Sequence, residues 1–148
     1  MIKENVKIVG NLSLLLTDEF GNRKLDKNYP NLVVQVGKEY IAQRMTSNTA
    51  TIMSHIAIGS GTTTPANTDT FLQSEITRVA FSSVTVTSNT ISYSCTFGSG
   101  VGTGGITEAG IFNSGTANSG IMLSRTTFPV INKEFNDTFS ITWNVSPN

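Results

Sequence analysis

Hydrophobic positions along this chain mostly recur every second residue. Leu12, Leu14 and Leu16 alternate with Asn11, Ser13 and Thr17, the period of a strand with one face buried. The pattern predicts a first strand over 6–18, a turn at Glu19–Asn22 with Gly21 free to take positive φ, and a polar return strand over 23–28. Pro30 is expected to break that strand. Leu32–Val36 is a short β-branched run. Ile52–Ile58 follows as a strand with Ile52, Ser54, Ile56 and Ile58 on one face. Residues 78–87 and 90–97 read as a hairpin around Ser88-Asn89. Within it Val79 and Phe81 are out of phase with Val84 and Val86, which predicts a β-bulge near Ser82-Ser83. Strands over 106–112, 121–128 (ended by Pro129) and a last one carrying Phe139, Ile141, Trp143 and Val145 complete the set.

The period changes once. In Gly37–Met45, Tyr40, Ile41, Arg44 and Met45 fall on one helical stripe, so a helix is expected around 37–46, with Ile41 and Met45 against a sheet. One or two helical turns are expected over 69–76, anchored by Phe71, Leu72 and Ile76 and capped by Asn67 or Thr68. Short strands with turn signals every 8–12 residues indicate a mainly β fold. The expected architecture is an antiparallel β-sandwich, jelly-roll-like or Greek-key, formed as a single domain over 1–148.

Composition narrows the function. The 148 residues contain ten basic and ten acidic side chains, and charged residues make up 14% against the ~25% of ordinary domains. A neutral chain has no long-range attraction for polyanions, so nucleic acid is not an expected partner. No segment has the ~20 apolar residues of a membrane span, and no apolar run follows the N-terminus as a signal peptide would require. A soluble product of a cytoplasm is expected. Low net charge does little to oppose self-association.

Candidate chemistry is sparse. Cys95 is alone in the chain, so neither an intramolecular disulfide nor a zinc site is expected; it reads as a small buried hydrophobe. His55 reads as a partly exposed strand residue without the partners of a triad. Gly100–Gly105 spells G-x-G-x-x-G, but the next residues look like strand, whereas a dinucleotide site needs a helix there. Gly59–Thr62 lacks the lysine of a P-loop. The acids are scattered singly, and no glycosidase-type pair stands out. Glu108 differs from the rest. It lies in an apolar, glycine-flanked strand and is expected to be buried and paired with Arg78 or Arg125 in a structural role. Tyr29, Tyr40, Tyr93 and Trp143 could line a glycan site, but they fall in phase with the core. No catalytic, cofactor or metal residues are expected.

Three stretches carry a resemblance: Ile106-Thr107-Glu108-Ala109-Gly110-Ile111-Phe112-Asn113, then Met122-Leu123-Ser124-Arg125, then Phe128-Pro129 and Lys133. They resemble the tail-collar fibre family of tailed bacteriophages. Asn31–Val34, Gly37–Ile41 and Met53–Gly61 are similar to small phage accessory proteins of the decoration and neck type. The resemblance implies a virion structural protein, not an enzyme, assembled in the host cytoplasm. It implies partnership with capsid, neck or tail subunits and with copies of itself, closed by threefold symmetry. The long shaft usual in collar fibres is not seen in this chain, which favours capsid decoration over the collar, neck or fibre-base alternative. A glycan-binding module using loops 59–66, 98–105 and 113–120 is the rival class.

Overall fold

The computed structural model describes residues 4–47 and 49–148. Two five-stranded antiparallel sheets face each other as a sandwich. The strands are β1 (Ile8–Thr17), β2 (Arg23–Pro30), β3 (Leu32–Val33), β4 (His55–Gly59), β5 (Glu75–Ala80), β6 (Ser83–Thr87), β7 (Thr90–Phe97), β8 (Gly104–Phe112), β9 (Met122–Lys133) and β10 (Thr138–Pro147). One sheet has the order β2-β1-β10-β7-β6 and the other β3-β9-β8-β4-β5. A single helix, α1 (Gln35–Thr46), follows β3.

Alternation in sequence becomes rows across the first sheet. Leu12 pairs with Trp143 and Trp143 with Tyr93; Leu14 pairs with Ile141 and Ile141 with Cys95; Leu16 pairs with Phe139 and Phe139 with Phe97. All nine side chains are buried. Because successive residues of a strand point to opposite faces, these rows form one continuous apolar surface. The facing sheet contributes Ile56, Ile58, Ala109 and Ile111. Burying each large apolar side chain contributes roughly 1.5–3 kcal/mol. Trp143 also satisfies its polar end, its Nε1–H donating to Asn31 Oδ1 at 3.0 Å.

Several expected elements change once the layers are known. The phase break at Ser82-Ser83 marks a crossing between sheets, where Ser82 N–H donates to Ser94 O at 2.7 Å beside the Ser83↔Ser94 pair, so that two residues oppose one as in the expected bulge. β5 ends at Ala80 in one sheet and β6 begins at Ser83 in the other. The β6–β7 register runs unbroken from Ser83↔Ser94 to Thr87↔Thr90. A chain that moves to the opposite layer must reverse the side it turns inward, so Val79 and Val84 belong to different phases. Pro129 does not end its strand. It sits where β9 and β8 lose register, between the pairs Ile131↔Ile106 and Thr127↔Glu108, at an irregularity that demands no ladder hydrogen bond. The expected helical turns over 69–76 are absent: Leu72 is buried as an anchor, but the segment is irregular and leads into β5. Ile52 lies ahead of β4 and is exposed.

Helix α1 is longer than expected and packs differently. Its buried positions are Gly37 and Tyr40, with Ile41 partly buried against the core, while Met45 faces solvent. The first amide of the helix, Gln35 N–H, donates to Asn67 O at 2.9 Å, which satisfies a group that Val34 cannot cap. Gly37 allows the helix to approach β9, because a Cβ there would collide with the backbone carbonyl of Leu123. Gly37→Ala sets a gain of up to ~1 kcal/mol in helix propensity against an overpacking cost of about 1–3 kcal/mol. The expected outcome is a lower urea midpoint. A raised midpoint would show that α1 is not seated on β9 at this residue.

Candidate functional site

The most elaborate polar site lies on the outer face of the β3-β9-β8-β4-β5 sheet. A second, smaller apolar cluster forms there from Val34, Ala57, Leu72, Phe112 and Met122. The segment between β4 and β5 covers it, with Leu72 inserted as the anchor. Glu108 fastens that segment. Its carboxylate is fully buried and accepts five hydrogen bonds. Oε1 takes the amides of Gly61 (2.9 Å) and Ser74 (2.7 Å). Oε2 takes the amide of Gln73 (3.0 Å) and both Nε (3.1 Å) and Nη2 (2.9 Å) of Arg125.

Arg125 is also buried and extends the hub. Nη1 donates to Asp69 Oδ2 at 2.9 Å and Nη2 to Thr63 Oγ1 at 3.2 Å. β8 and β9 place the two charges as diagonal neighbours, since Arg125 pairs with Gly110 while Glu108 pairs with Thr127. The glycines of Gly59-Ser60-Gly61 explain how the loop comes so close. A Cβ on either would lie 2.5 Å from Glu108 Oε1. These glycines therefore expose an amide to a protein carboxylate, the reverse of a phosphate cradle.

Arg78, the other expected partner of Glu108, is placed elsewhere. It forks onto Glu75, with Nε–Oε2 at 2.9 Å and Nη2–Oε1 at 2.6 Å. Its Nη1 donates to the carbonyls of Ser114 (2.9 Å) and Ser119 (3.1 Å). The guanidinium carbon sits 4.1 Å from the centroid of the Phe112 ring. Arg78 thus ties the 113–120 turn to β5, as Glu108 ties the 60–74 segment to β8. The sequence contained both acids and both arginines. The pairing became visible only with the sheet register, because Glu75 was expected in a helical turn and not in a strand.

This arrangement suits fastening better than chemistry. A carboxylate has about four lone-pair sites, and those of Glu108 are filled by protein donors away from water. His55 has one partner that the sequence reading passed over, its own neighbour: Ser54 Oγ lies 2.7 Å from Nδ1. Burial, and then the nearby Arg78 cation, hold the imidazole below its ordinary pKa. A triad needs a carboxylate to orient the base, and the charge beside this ring is of the opposite sign. Burial pushes the Cys95 thiol up to about 12, so it carries negligible thiolate at neutral pH. Gly104 of the glycine-rich run opens strand β8, so no helix follows it. Among the described residues no cluster of three or more His, Cys, Asp or Glu could hold a metal ion. No described helix is long and apolar enough to cross a membrane. Tyr40, Tyr93 and Trp143 are core residues, and Tyr29 stacks on Phe128 at 5.6 Å between centroids.

Two outcomes test this reading. Glu108→Gln leaves the buried Arg125 with Asp69 as its remaining counter-ion, so the loss should stay below the roughly 3–5 kcal/mol of a fully broken buried pair. Hydrogen exchange should quicken at the amides of Gly61, Gln73 and Ser74. Adding Arg125→Met to Glu108→Gln should recover part of the loss; strictly additive losses in guanidinium unfolding would mean the two residues do not act as a pair. Separately, Cys95 should resist thiol reagents at pH 8 in the native protein and react at once in denaturant, which mass spectrometry would register.

Comparison with known families gives one match. The family described as Phage tail-collar fibre protein, N-terminal, matches residues 25–145. Comparisons with curated proteins and with solved structures each gave no significant match. The matched span contains the Glu108–Arg125 hub, the Arg78–Glu75 pair and every strand except β1 in its body. The chain therefore belongs to the phage tail-collar fibre protein family, in the region of its N-terminal domain.

Proposed function

We propose that this protein is a non-enzymatic part of the tail collar of a tailed phage, folding as one domain and serving as an attachment unit between virion proteins. The family match carries the reading, because it describes a collar fibre of the tail. That moves the weight from capsid decoration, which the sequence had favoured, to the collar alternative. The chemistry of the fold supports a building part: its ionised side chains at the hub bind loops to sheets, and its titratable Cys95 and His55 are held neutral at physiological pH.

Such a protein works by presenting fixed surfaces. Loops that would otherwise fluctuate are held by charge-assisted hydrogen bonds, which are roughly twice as strong as neutral ones. A rigid surface loses little conformational entropy on docking. Repeated contacts in an assembly then raise effective concentration, so single interfaces can be modest. The partners are copies of the chain and other virion proteins, joined during assembly in the host cytoplasm. Antibody or gold labelling of purified particles should mark the head–tail junction or collar, with a copy number per virion far below that of the major capsid protein. Labelling spread over the capsid, at a copy number near that of the capsid subunit, would return the reading to decoration.

A further inference from the structure

An open groove of about 470 Å³ lies between α1 and β6, and Tyr40, Arg44, Met45, Ile52, Val84 and Val86 are among the residues that line it. Four of these are apolar side chains in contact with water: Met45 is 83% exposed, Ile52 66%, Val84 50% and Val86 69%. Apolar groups gathered at one exposed place mark a surface that meets another molecule. Among the described residues, Arg44 is the one charged side chain in the lining.

The groove runs along the least protected sheet edge. β2 carries Arg23, Lys24, Asp26, Lys27 and Pro30, charges and a proline of the kind that block edge pairing. β3 is two residues long, and β5 carries Glu75 and Arg78. β6 reads Ser-Val-Thr-Val-Thr, is exposed at every position, and among the described residues pairs with β7 alone. Its backbone phase follows from the turn. Thr87↔Thr90 closes a two-residue loop and is therefore the hydrogen-bonded kind of pair. Alternation then turns the N–H and C=O of Thr85 toward β7, and those of Val84 and Val86 outward. The edge thus offers donors and acceptors at the spacing of a strand ladder, with an apolar groove beside them.

We propose that the β6 edge and this groove together take up an extended segment of a different virion protein by strand addition, a segment with apolar side chains at two alternate positions and a carboxylate that reaches Arg44. The inference rests on the attachment role proposed above and names the kind of partner attached. In strand addition the main-chain bonds supply affinity, and pockets for alternate side chains supply specificity. Residues paired across a ladder share a face, so the two apolar side chains opposite Val84 and Val86 enter the groove, where Met45 and Ile52 wait uncovered. The residue between them, opposite Thr85, stays on the hydroxyl-rich outer face.

Arg44 selects the carboxylate. Its Nη1 donates to Ala50 O at 2.9 Å, and the guanidinium fork has further donors to give. Among the described residues it forms no ion pair. Its charge is felt at the groove wall: burial raises the pKa of the Tyr40 phenol, and the Arg44 cation acts against that rise. A carboxylate arriving there makes a charge-assisted hydrogen bond, stronger than a neutral one, and the partly buried setting of Arg44 limits its screening by water.

The same charge argues against β6 of a second copy as the occupant. Residues 79–107 contain no charged side chain, so that strand brings no acid to Arg44. An isologous pairing would instead bring a second Arg44 to the shared groove, a cation where an anion is wanted.

The probe is a short capped peptide, Ser-Val-Thr-Ile-Thr-Glu-Ser, whose apolar residues and acid share one face. Titrated against the whole chain, it should bind saturably in fluorescence anisotropy and slow hydrogen exchange at the amides of Val84 and Val86. The same peptide with Gln for Glu should bind about tenfold more weakly, the loss of one charge-assisted contact. Arg44→Met should weaken the acidic peptide to match and make the two peptides bind alike. Val84→Pro removes an outward N–H that β7 does not use, and should abolish binding with an unchanged circular dichroism spectrum. In purified particles, a photo-reactive amino acid at position 86 should cross-link to an apolar, acid-bearing segment of a different virion protein, mapped by mass spectrometry. No saturable binding, equal binding of the two peptides by the unaltered chain, or binding that survives Val84→Pro overturns the proposal. So does a cross-link to a second copy of this chain, or no cross-link at all. Particle labelling reports location alone and is independent of these outcomes, so failure here and failure of the collar reading are separable.

Discussion

A carboxylate placed where water cannot reach it must be neutralised and hydrogen-bonded by the protein itself, and in this fold Glu108 imposes that demand on everything around it. Meeting the demand takes Arg125 from the neighbouring strand and three backbone amides from a segment distant in sequence. The amide of Gly61 can approach only because positions 59 and 61 lack a Cβ. Once the segment is fastened, Leu72 covers Ala57, Phe112 and Met122, and the outer face of the sheet gains its own apolar cluster. Asp69, bound to Arg125, also holds Ala66 N–H at 2.9 Å, next to the Asn67 carbonyl that receives the first amide of α1. A single buried charge thus links a strand pair, a covering loop and the start of the helix.

The same logic appears at Arg78. Its guanidinium has five donors in a fixed fork, and Glu75 plus two turn carbonyls occupy them. The two hubs lie on one sheet and carry charges of both signs inward, which is consistent with an outer surface poor in charge. Their cost in desolvation returns no gain over an apolar core. What they provide is position: loops 60–74 and 113–120 each have one arrangement that satisfies the buried groups, and others that leave a charge bare.

Period-two alternation made β1, β7, β8 and β10 legible in sequence, because in each strand one face meets the core and the other meets a more polar setting, which in β8 is the covering 60–74 segment. Where an element depends on two layers at once, that signal misleads. Val79 packs inward from one sheet, whereas Val84 lies half exposed on the other sheet, and a one-dimensional pattern expresses the crossing between them only as a change of phase. Pro129 looks like a terminator until the missing register with β8 shows that no bond was required of it. Met45 sits on the helical stripe that sequence assigns to a core, yet the sheet it would meet ends too soon. Glu108 was conspicuous by its setting, but the choice between Arg78 and Arg125 turned on which strands are neighbours, which alternation does not encode.

Met45, Val84 and Val86 share one cause. Their patterns are those of buried residues, and the fold of one chain leaves them in water. Exposed apolar groups of this kind are destabilising neither to the monomer nor useful to it, but an uncharged strand edge beside them is a hazard that the other edges are built to avoid. β2 shows that this sequence can supply lysines and a proline at an edge, and β6 shows residues that suit an interior. The difference is explained if the interior of β6 is completed by another molecule. A protein that joins an assembly meets its neighbours through surfaces that are stable in isolation yet unsaturated, and rigid loops on one sheet with an open edge on the other meet both conditions.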